Sequence, residues 1–328
     1  MGARIVRLSA CLLASLPAFP VHGQITPSEA SQIQSVIGNR IEALTLLGGD
    51  YGIAGGTFRT TGRLVSGGRT NTTLGTSKLG GAGDIGDPQP LGDLGVGWQP
   101  RLMGNLGFIK STNDLDAPLL QNDVNTFKGY GIEFGGGARF WLSDGFSLAP
   151  TLMLLYGHTQ NDYIARSPFM QANLARATTA GLVGYDIDTW TLRPALNVQY
   201  VLTLERVLIT LSSEPVYFRT QTLHRSNINV DVNGSSGSLD NKIDIDAPLA
   251  LELFGHELRG GGYFSRTDLF GDLKAGLDVN HLYEVHGRLV LDVLNSLWKV
   301  QWVGVGASYV WGDSMRGFTA GLDVSFRF

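Results

Sequence analysis

Three sets of residues in this 328-residue chain have types and spacings that chemistry could use. The first is Gly81-Ala82-Gly83-Asp84-Ile85-Gly86, which satisfies the letter pattern of a dinucleotide loop. Such a loop works by aiming the amides of a following helix at a phosphate. Here Asp87-Pro88-Gln89-Pro90 follows, and prolines so close together prevent that helix. The neighbouring glycines resemble calcium-binding repeats, but a single imperfect copy cannot build the stack. No cofactor and no metal are expected. The second set is His158, Asp162, His224, Asp231 and Asp240, in or beside the segments 159–187 and 220–242. A His–Asp pair assembled there would be a general base, giving a hydrolase as an alternative reading. No Ser-His-Asp or metal-ligand spacing accompanies it, so the chain is not expected to be an enzyme and no catalytic residue is assigned. The only cysteine, Cys11, lies in the first two dozen residues.

The third set is the charges Glu133, Arg139, Arg193, Glu252, Glu284, Arg288 and Asp292, and its pattern identifies the elements that must carry it. In 281–294 the odd positions are Tyr283, Val285, Gly287, Leu289, Leu291 and Val293, while Glu284, His286, Arg288 and Asp292 are even. That is strand periodicity. Glu133 and Arg139 alternate in the same way with Tyr130, Ile132, Phe134 and Phe140. Arg193, Asn197 and Gln199 alternate with Trp190, Leu192, Leu196, Val198 and Tyr200, and Asp244, Asp246 and Glu252 with Ile243, Ile245, Leu249, Leu251 and Leu253. On a lipid face each basic residue would cost about 2–4 kcal/mol near the midplane, so the charged set faces a wet lumen and the apolar set faces lipid.

Composition agrees. The chain is 43% hydrophobic and only 16% charged, with 44 glycines and a net charge of −4, and it has no apolar run long enough for a membrane helix. The weak, unclustered charge gives no reason to expect a nucleic-acid partner. Alternating runs fall at 51–62, 71–82, 97–111, 127–141, 146–158, 188–202, 206–219, 243–255, 258–270, 281–295, 298–311 and 315–328, and no second helix is expected after the first of them. The fold class is all-β: a twelve-stranded antiparallel transmembrane β-barrel. Short connections at Ser143-Asp144-Gly145, Leu204-Glu205, Gly255-His256-Glu257 and Asn295-Ser296-Leu297 place one set of turns in the periplasm, with 159–187 and 220–242 outside. Trp98, Trp141, Trp190, Trp298 and Trp311 fall at strand ends, where an aromatic girdle belongs.

Residues 1–23 read as a secretory signal, with Arg4 and Arg7, an apolar body from Leu8 to Phe19 and a small-residue site at Val21-His22-Gly23. Cleavage there removes Cys11. Residues 24–48 are expected to be a lumen-helix segment, helical from Pro27 to Leu47, with Thr26 as cap, Pro27 at the first position and Glu29 at the third, stopped by Gly48-Gly49. Its polar residues, Glu29, Arg40 and Glu42 among them, are spread around it, so it cannot face lipid. The barrel domain occupies 49–328. The last strand alternates through Phe318, Leu322, Val324, Phe326 and the terminal Phe328.

With the helix Pro27 to Leu47, the junction IGNRIEALTLLGGDYG, twelve strands and Phe328, the chain resembles the autotransporter translocator family, most closely its solitary members. The resemblance implies a helix crossing the lumen from Thr26 to Gly49 and a terminal strand read by the barrel assembly machinery. A helix about 10–12 Å across fits within twelve strands, and Arg40 and Glu42 would then meet Glu133, Glu284 or Arg288. Only Gln24 and Ile25 separate the cleavage site from the helix cap, so no secreted passenger is expected on this chain. The expected protein resides in the outer membrane of a Gram-negative bacterium, in contact with outer-membrane lipid, its lumen plugged and its role structural or carried by surface loops. A porin-like diffusion channel is the alternative, and no extracellular ligand can be named.

Overall fold

The structure, a computed structural model, describes residues 52–63, 69–92, 95–116, 121–277, 279–293 and 300–326. The expected signal segment, the helix 24–48 with Glu29, Arg40 and Glu42, Trp298 and Phe328 lie outside the described residues. Twelve strands form one antiparallel ring: β1 (Gly52–Arg63), β2 (Arg69–Asp84), β3 (Gly97–Asp116), β4 (Asp123–Trp141), β5 (Phe146–Ile164), β6 (Tyr185–Leu204), β7 (Val207–Arg225), β8 (Asn233–Leu253), β9 (His256–Phe270), β10 (His281–Asp292), β11 (Val300–Gly312) and β12 (Met315–Phe326). Each strand pairs with the next in sequence, and β1 pairs with β12, so the sheet closes. Closure leaves no ladder edge exposed. A two-residue strand, Gln89–Pro90, attaches to the start of β3.

Tight turns gather at one end of the ring. Phe254 and Gly255, at φ 57° and 76°, join β8 to β9 in the left-handed geometry that a two-residue hairpin requires. At the opposite end β3 to β8 run to 19–21 residues, against 12–16 for the others, so one side of the barrel stands taller. Segments expected to be loops are therefore partly strand: β5 continues to Ile164, β6 starts at Tyr185, β7 runs to Arg225, and β8 starts at Asn233. The ladder needs no apolar residues to continue, and the outward residues here, such as Gln160 and Asp162, are polar; that erased the alternation.

The expectation of no further helix is also overturned. Helix α1 (Pro168–Thr179) bridges β5 and β6, and α2 (Gly271–Leu277) bridges β9 and β10. Ser167 caps α1, its side chain accepting from the Met170 amide at 3.2 Å, with Pro168 in the first turn. Among the described residues no helix is long and apolar enough to cross a membrane.

Alternation sorts the wall into two faces. Outside lie exposed apolar side chains, among them Leu102, Ile132, Phe134, Leu196, Ile245, Leu251, Leu289 and Phe318. Aromatic rings cap this belt toward the taller end: Phe264, Tyr283, Trp311, Tyr309 and Phe318 form a chain of contacts with centroids 4.8–6.4 Å apart. Trp141 departs from the expected girdle. It shares the inward face of Arg139, which lies 5.3 Å from its ring, and donates to Gln99 at 3.4 Å.

Candidate functional site: the lumen

The inward face of the barrel carries three polar clusters and one apolar layer. Nearest the tight turns, Asp84 at the end of β2 accepts from Arg101 at 2.7 Å and faces Arg139 at 2.9 Å. Arg139 also donates to Gln199 at 2.6 Å and to Ser147 at 3.1 Å, linking β4, β5 and β6. Asp84, part of the glycine-rich letter pattern, is thus a strand residue with two guanidinium partners and no helix behind it.

A second cluster centres on Glu133, which is 2% exposed. Arg193 reaches it at 3.1 Å from β6, and Asn105 donates to it at 2.7 Å from β3. Arg193 also approaches Glu214 at 3.6 Å, and Glu214 accepts from Asn197 at 3.0 Å. A buried carboxylate is tolerated only when paired and hydrogen-bonded, and Glu133 is both.

The third cluster lies on the facing wall. Arg288 grips Asp244 through two hydrogen bonds of 2.7 Å, the fork geometry that suits guanidinium and carboxylate. Arg259 donates to Asp246 at 2.6 Å. Tyr263 donates to Glu284 at 2.8 Å and stacks on His286 at 4.6 Å, while His286 meets Ser308 at 2.9 Å and Asp323 at 3.4 Å. Of the site residues expected from sequence, Glu133, Arg139, Arg193, Glu284 and Arg288 fall within these clusters. Glu252 and Asp292 do not: Glu252 is exposed beside the β8–β9 turn, opposite Glu257, and Asp292 ends β10, where its carbonyl accepts from His256 at 3.0 Å. Strand parity alone places a charge on a face; only its height decides whether it is lumen or rim. Parity already turns His286 inward with Glu284, whereas Arg101, Glu214 and Arg259 are not among the residues expected from sequence, although the parity of Arg101 with Gln99 carries the signal.

The lumen is not wet throughout. Phe58, Leu74, Ile109, Phe218, Leu282, Val310 and Met315 are buried from strands around the ring and pack in one cluster with Leu273 of α2. The parity of 281–294 turns Leu282 inward with Glu284, but on the other strands charges mark the phase and the inward apolar residues carry no separate signal. At the taller end a separate cap is held by Asp123, which is fully buried. Its carboxylate accepts from the backbone of Arg166 at 2.6 Å and Ser167 at 2.7 Å, from the Ser167 hydroxyl at 2.7 Å and from Tyr163 at 2.9 Å. Burial, the bond to Asp123 and the nearby charge push the Tyr163 phenol well above the usual tyrosine range. Met170, Ala177, Val183 and Leu115 pack beneath α1, and Asn227 and Asn229 donate to the carbonyls of Thr178 and Thr179 at 2.7 and 2.9 Å, tying the β7–β8 connection to the helix.

The residues considered for hydrolysis do not converge on the lumen. His158 shares the outward face with Tyr156, and both contact Asp188, at 2.6 and 3.0 Å. Asp162 pairs with Lys128 at 2.8 Å, Asp231 with Arg225 at 3.0 Å, and Asp240 accepts from Thr267 at 2.7 Å. His224 is exposed, in register with Asp188. Among the described residues no group of three His, Cys, Asp or Glu could hold a metal ion.

A family model described as a solitary outer membrane autotransporter beta-barrel domain matches residues 90–322. Among solved structures, the transport unit of the autotransporter AIDA-I from Escherichia coli aligns with a TM-score of 0.58 at 12% identity, covering 90% of this chain and 99% of that one. The beta domain of the Bordetella autotransporter BrkA aligns at 0.48 and 17% identity, over 84% and 99% of the two chains. The translocator domain of the autotransporter NalP from Neisseria meningitidis aligns at 0.44 and 13%, over 89% and 94%. At these identities the likeness to AIDA-I shows the fold alone. No curated protein matches the chain.

Proposed function

Since this chain belongs to the family of solitary outer membrane autotransporter beta-barrel domains, we propose that it is a closed barrel that anchors a rigid surface cap, not an open channel. Its location is the outer membrane of a Gram-negative bacterium. The observation that carries the proposal is the apolar layer from Phe58 to Met315, which packs across the lumen where a diffusion pore would need water. The cross-strand pairs of Arg193 with Glu133 and Arg288 with Asp244 support it, because they engage charges that would otherwise line a pore. The proposal includes the expected lumen helix 24–48, whose Glu29, Arg40 and Glu42 would add to the closure. Beyond the lumen, α1 and the β7–β8 connection form the surface cap, and its fixed geometry suits contact with partners outside the cell.

The outward belt is read as the lipid face. From Tyr130 to Phe140 the strand climbs roughly 25 Å at about 3.3 Å per residue and a tilt of about 40°, the height of an outer-membrane apolar band. Brominated lipids are expected to quench Trp190 and Trp311 in the reconstituted protein. The terminal strand, with Phe318, Leu322, Val324 and Phe326, is the segment offered to the barrel assembly machinery. The protein acts without catalysis on this reading, which the separate engagement of Asp162 by Lys128, Asp231 by Arg225 and Asp240 by Thr267 supports. Planar-bilayer recording of the full-length protein tests the closed lumen: little conductance is expected, and large stable conductance would overturn it.

A further inference from the structure

Among the described residues, the first and last strands meet through eight register pairs, from Ile53–Leu322 to Thr60–Met315, against nineteen between β3 and β4. One of the eight pairs sets Arg59 directly opposite Arg316. Both are exposed, and parity puts them on the outward face, Arg316 with Phe318 and Arg59 with Thr57 and Ile53. Like charges directly opposite in a ladder repel. Among the described residues neither guanidinium has an acidic partner. Asp313, in the adjacent turn, is engaged by the Asn280 side chain at 2.6 Å and backbone at 3.2 Å and by His281 at 3.5 Å. The two arginines flank a cleft of about 490 Å³ lined also by Gly312, Asp313, Ser314 and Met315.

Height and shape specify the ligand. Arg316 is in register with Trp311, so the pair stands level with that ring and one step beyond Tyr309 and Phe318, at headgroup level. Below it the outward face thins to Gly75, Ser77, Gly55 and Ala320, a shallow trough bounded by Phe108 on β3 and Phe318 on β12 and closed below by Leu79, Ile53 and Leu322. A doubled cation above a trough of small residues between bulky ones fits an anionic head carrying acyl chains.

We propose that Arg59 and Arg316 bind the phosphomonoester headgroup of an outer-leaflet lipid whose acyl chains lie in the trough at Gly55, Ser77 and Ala320. The site rests on the lipid-belt reading above. The bound phosphate accepts from one arginine on β1 and one on β12, and so relieves their repulsion and staples the seam. The test uses the full-length protein in detergent with diphosphoryl lipid A as probe, binding being read by native mass spectrometry and stability by the temperature at which the folded band is lost on semi-native gels. Wild type is expected to bind the lipid and gain thermal resistance. Arg59→Gln with Arg316→Gln is expected to bind at least tenfold more weakly and gain none. Arg59→Glu, which creates a cross-strand ion pair, is expected to fold at least as stably without lipid and still lose binding. Arg266→Gln, whose parent already pairs with Asp268 at 2.7 Å, is expected to behave as wild type. Equal binding by wild type and both Arg59 variants overturns the site, as does equal loss in Arg266→Gln. Inorganic pyrophosphate binding as tightly as the lipid also overturns it, since the site would then take a free anion. Wild type that binds no lipid A while brominated lipids quench its tryptophans overturns the site and leaves the belt standing; absence of quenching overturns both.

Discussion

Replacing Asp123 with alanine should release α1 from the barrel while leaving the ring intact. The carboxylate is fully buried and satisfies four donors, two of them the backbone amides of Arg166 and Ser167 at the helix entry. The hydroxyls of Ser167 and Tyr163 can rotate to other acceptors, but the two amides cannot. At about 1–3 kcal/mol for each buried donor left unmade, the cap should lose about 3–4 kcal/mol, which raises its opening equilibrium by about a hundred- to a thousandfold. Asp123→Asn keeps one acceptor oxygen for the amides and a donor for the hydroxyls, so its cost should be about 1–2 kcal/mol. Hydrogen exchange followed by mass spectrometry reads this directly in peptides covering 168–179, with peptides from β10 to β12 as an internal reference. The helix peptides should lose protection by the stated factor in alanine, by much less in asparagine, and the reference peptides should not change. Unchanged protection over 168–179 in Asp123→Ala, or loss shared equally with the reference strands, would refute the latch.

Three further outcomes are expected. The Tyr163 phenol is stabilised neutral in the folded cap, so its contribution is complete below the ordinary tyrosine pKa of about 10 and is lost as pH rises beyond it. Measured relative to the intrinsic base-catalysed rate, protection over 168–179 should fall as pH rises from about 10 to about 11 in wild type, and much less in Tyr163→Phe. Arg193→Ala strands Glu133 without its cation and should destabilise the barrel by about 3–5 kcal/mol in urea unfolding, whereas Arg193→Met with Glu133→Leu should be near neutral. Gly304→Ala would set its methyl 2.0 Å from the Leu289 carbonyl oxygen and should cut the yield of heat-modifiable barrel; Gly287→Ala meets nothing within 4 Å and should not.

Most strand positions were legible in the chain, because alternation of apolar and polar residues survives wherever one face meets a different medium from the other. The starts at Phe146, His281 and Met315 are those expected from that pattern. Strand ends toward the taller rim were misread, β8 beginning at Asn233 where 243 was expected, because beyond the apolar belt both faces are polar and only backbone hydrogen bonds mark the strand. Helix α1 announced itself in Ser167-Pro168, a cap and first turn that the surrounding strand periodicity obscured. Trp141 was placed in the girdle by its position at a strand end, but its parity with Arg139 was the better guide.

What the chain by itself determined was parity: which side chains share a face, and therefore that apolar residues would gather outside and charges inside. Parity follows from the pleat and needs no partner. Which inward charges meet was decided only by the closed ring. Glu133 and Arg193 lie two strands apart, and Asp244 and Arg288 likewise, so their contacts depend on register and curvature. The same closure carries Arg59 from the first strand to Arg316 on the last, a juxtaposition that no local pattern contains.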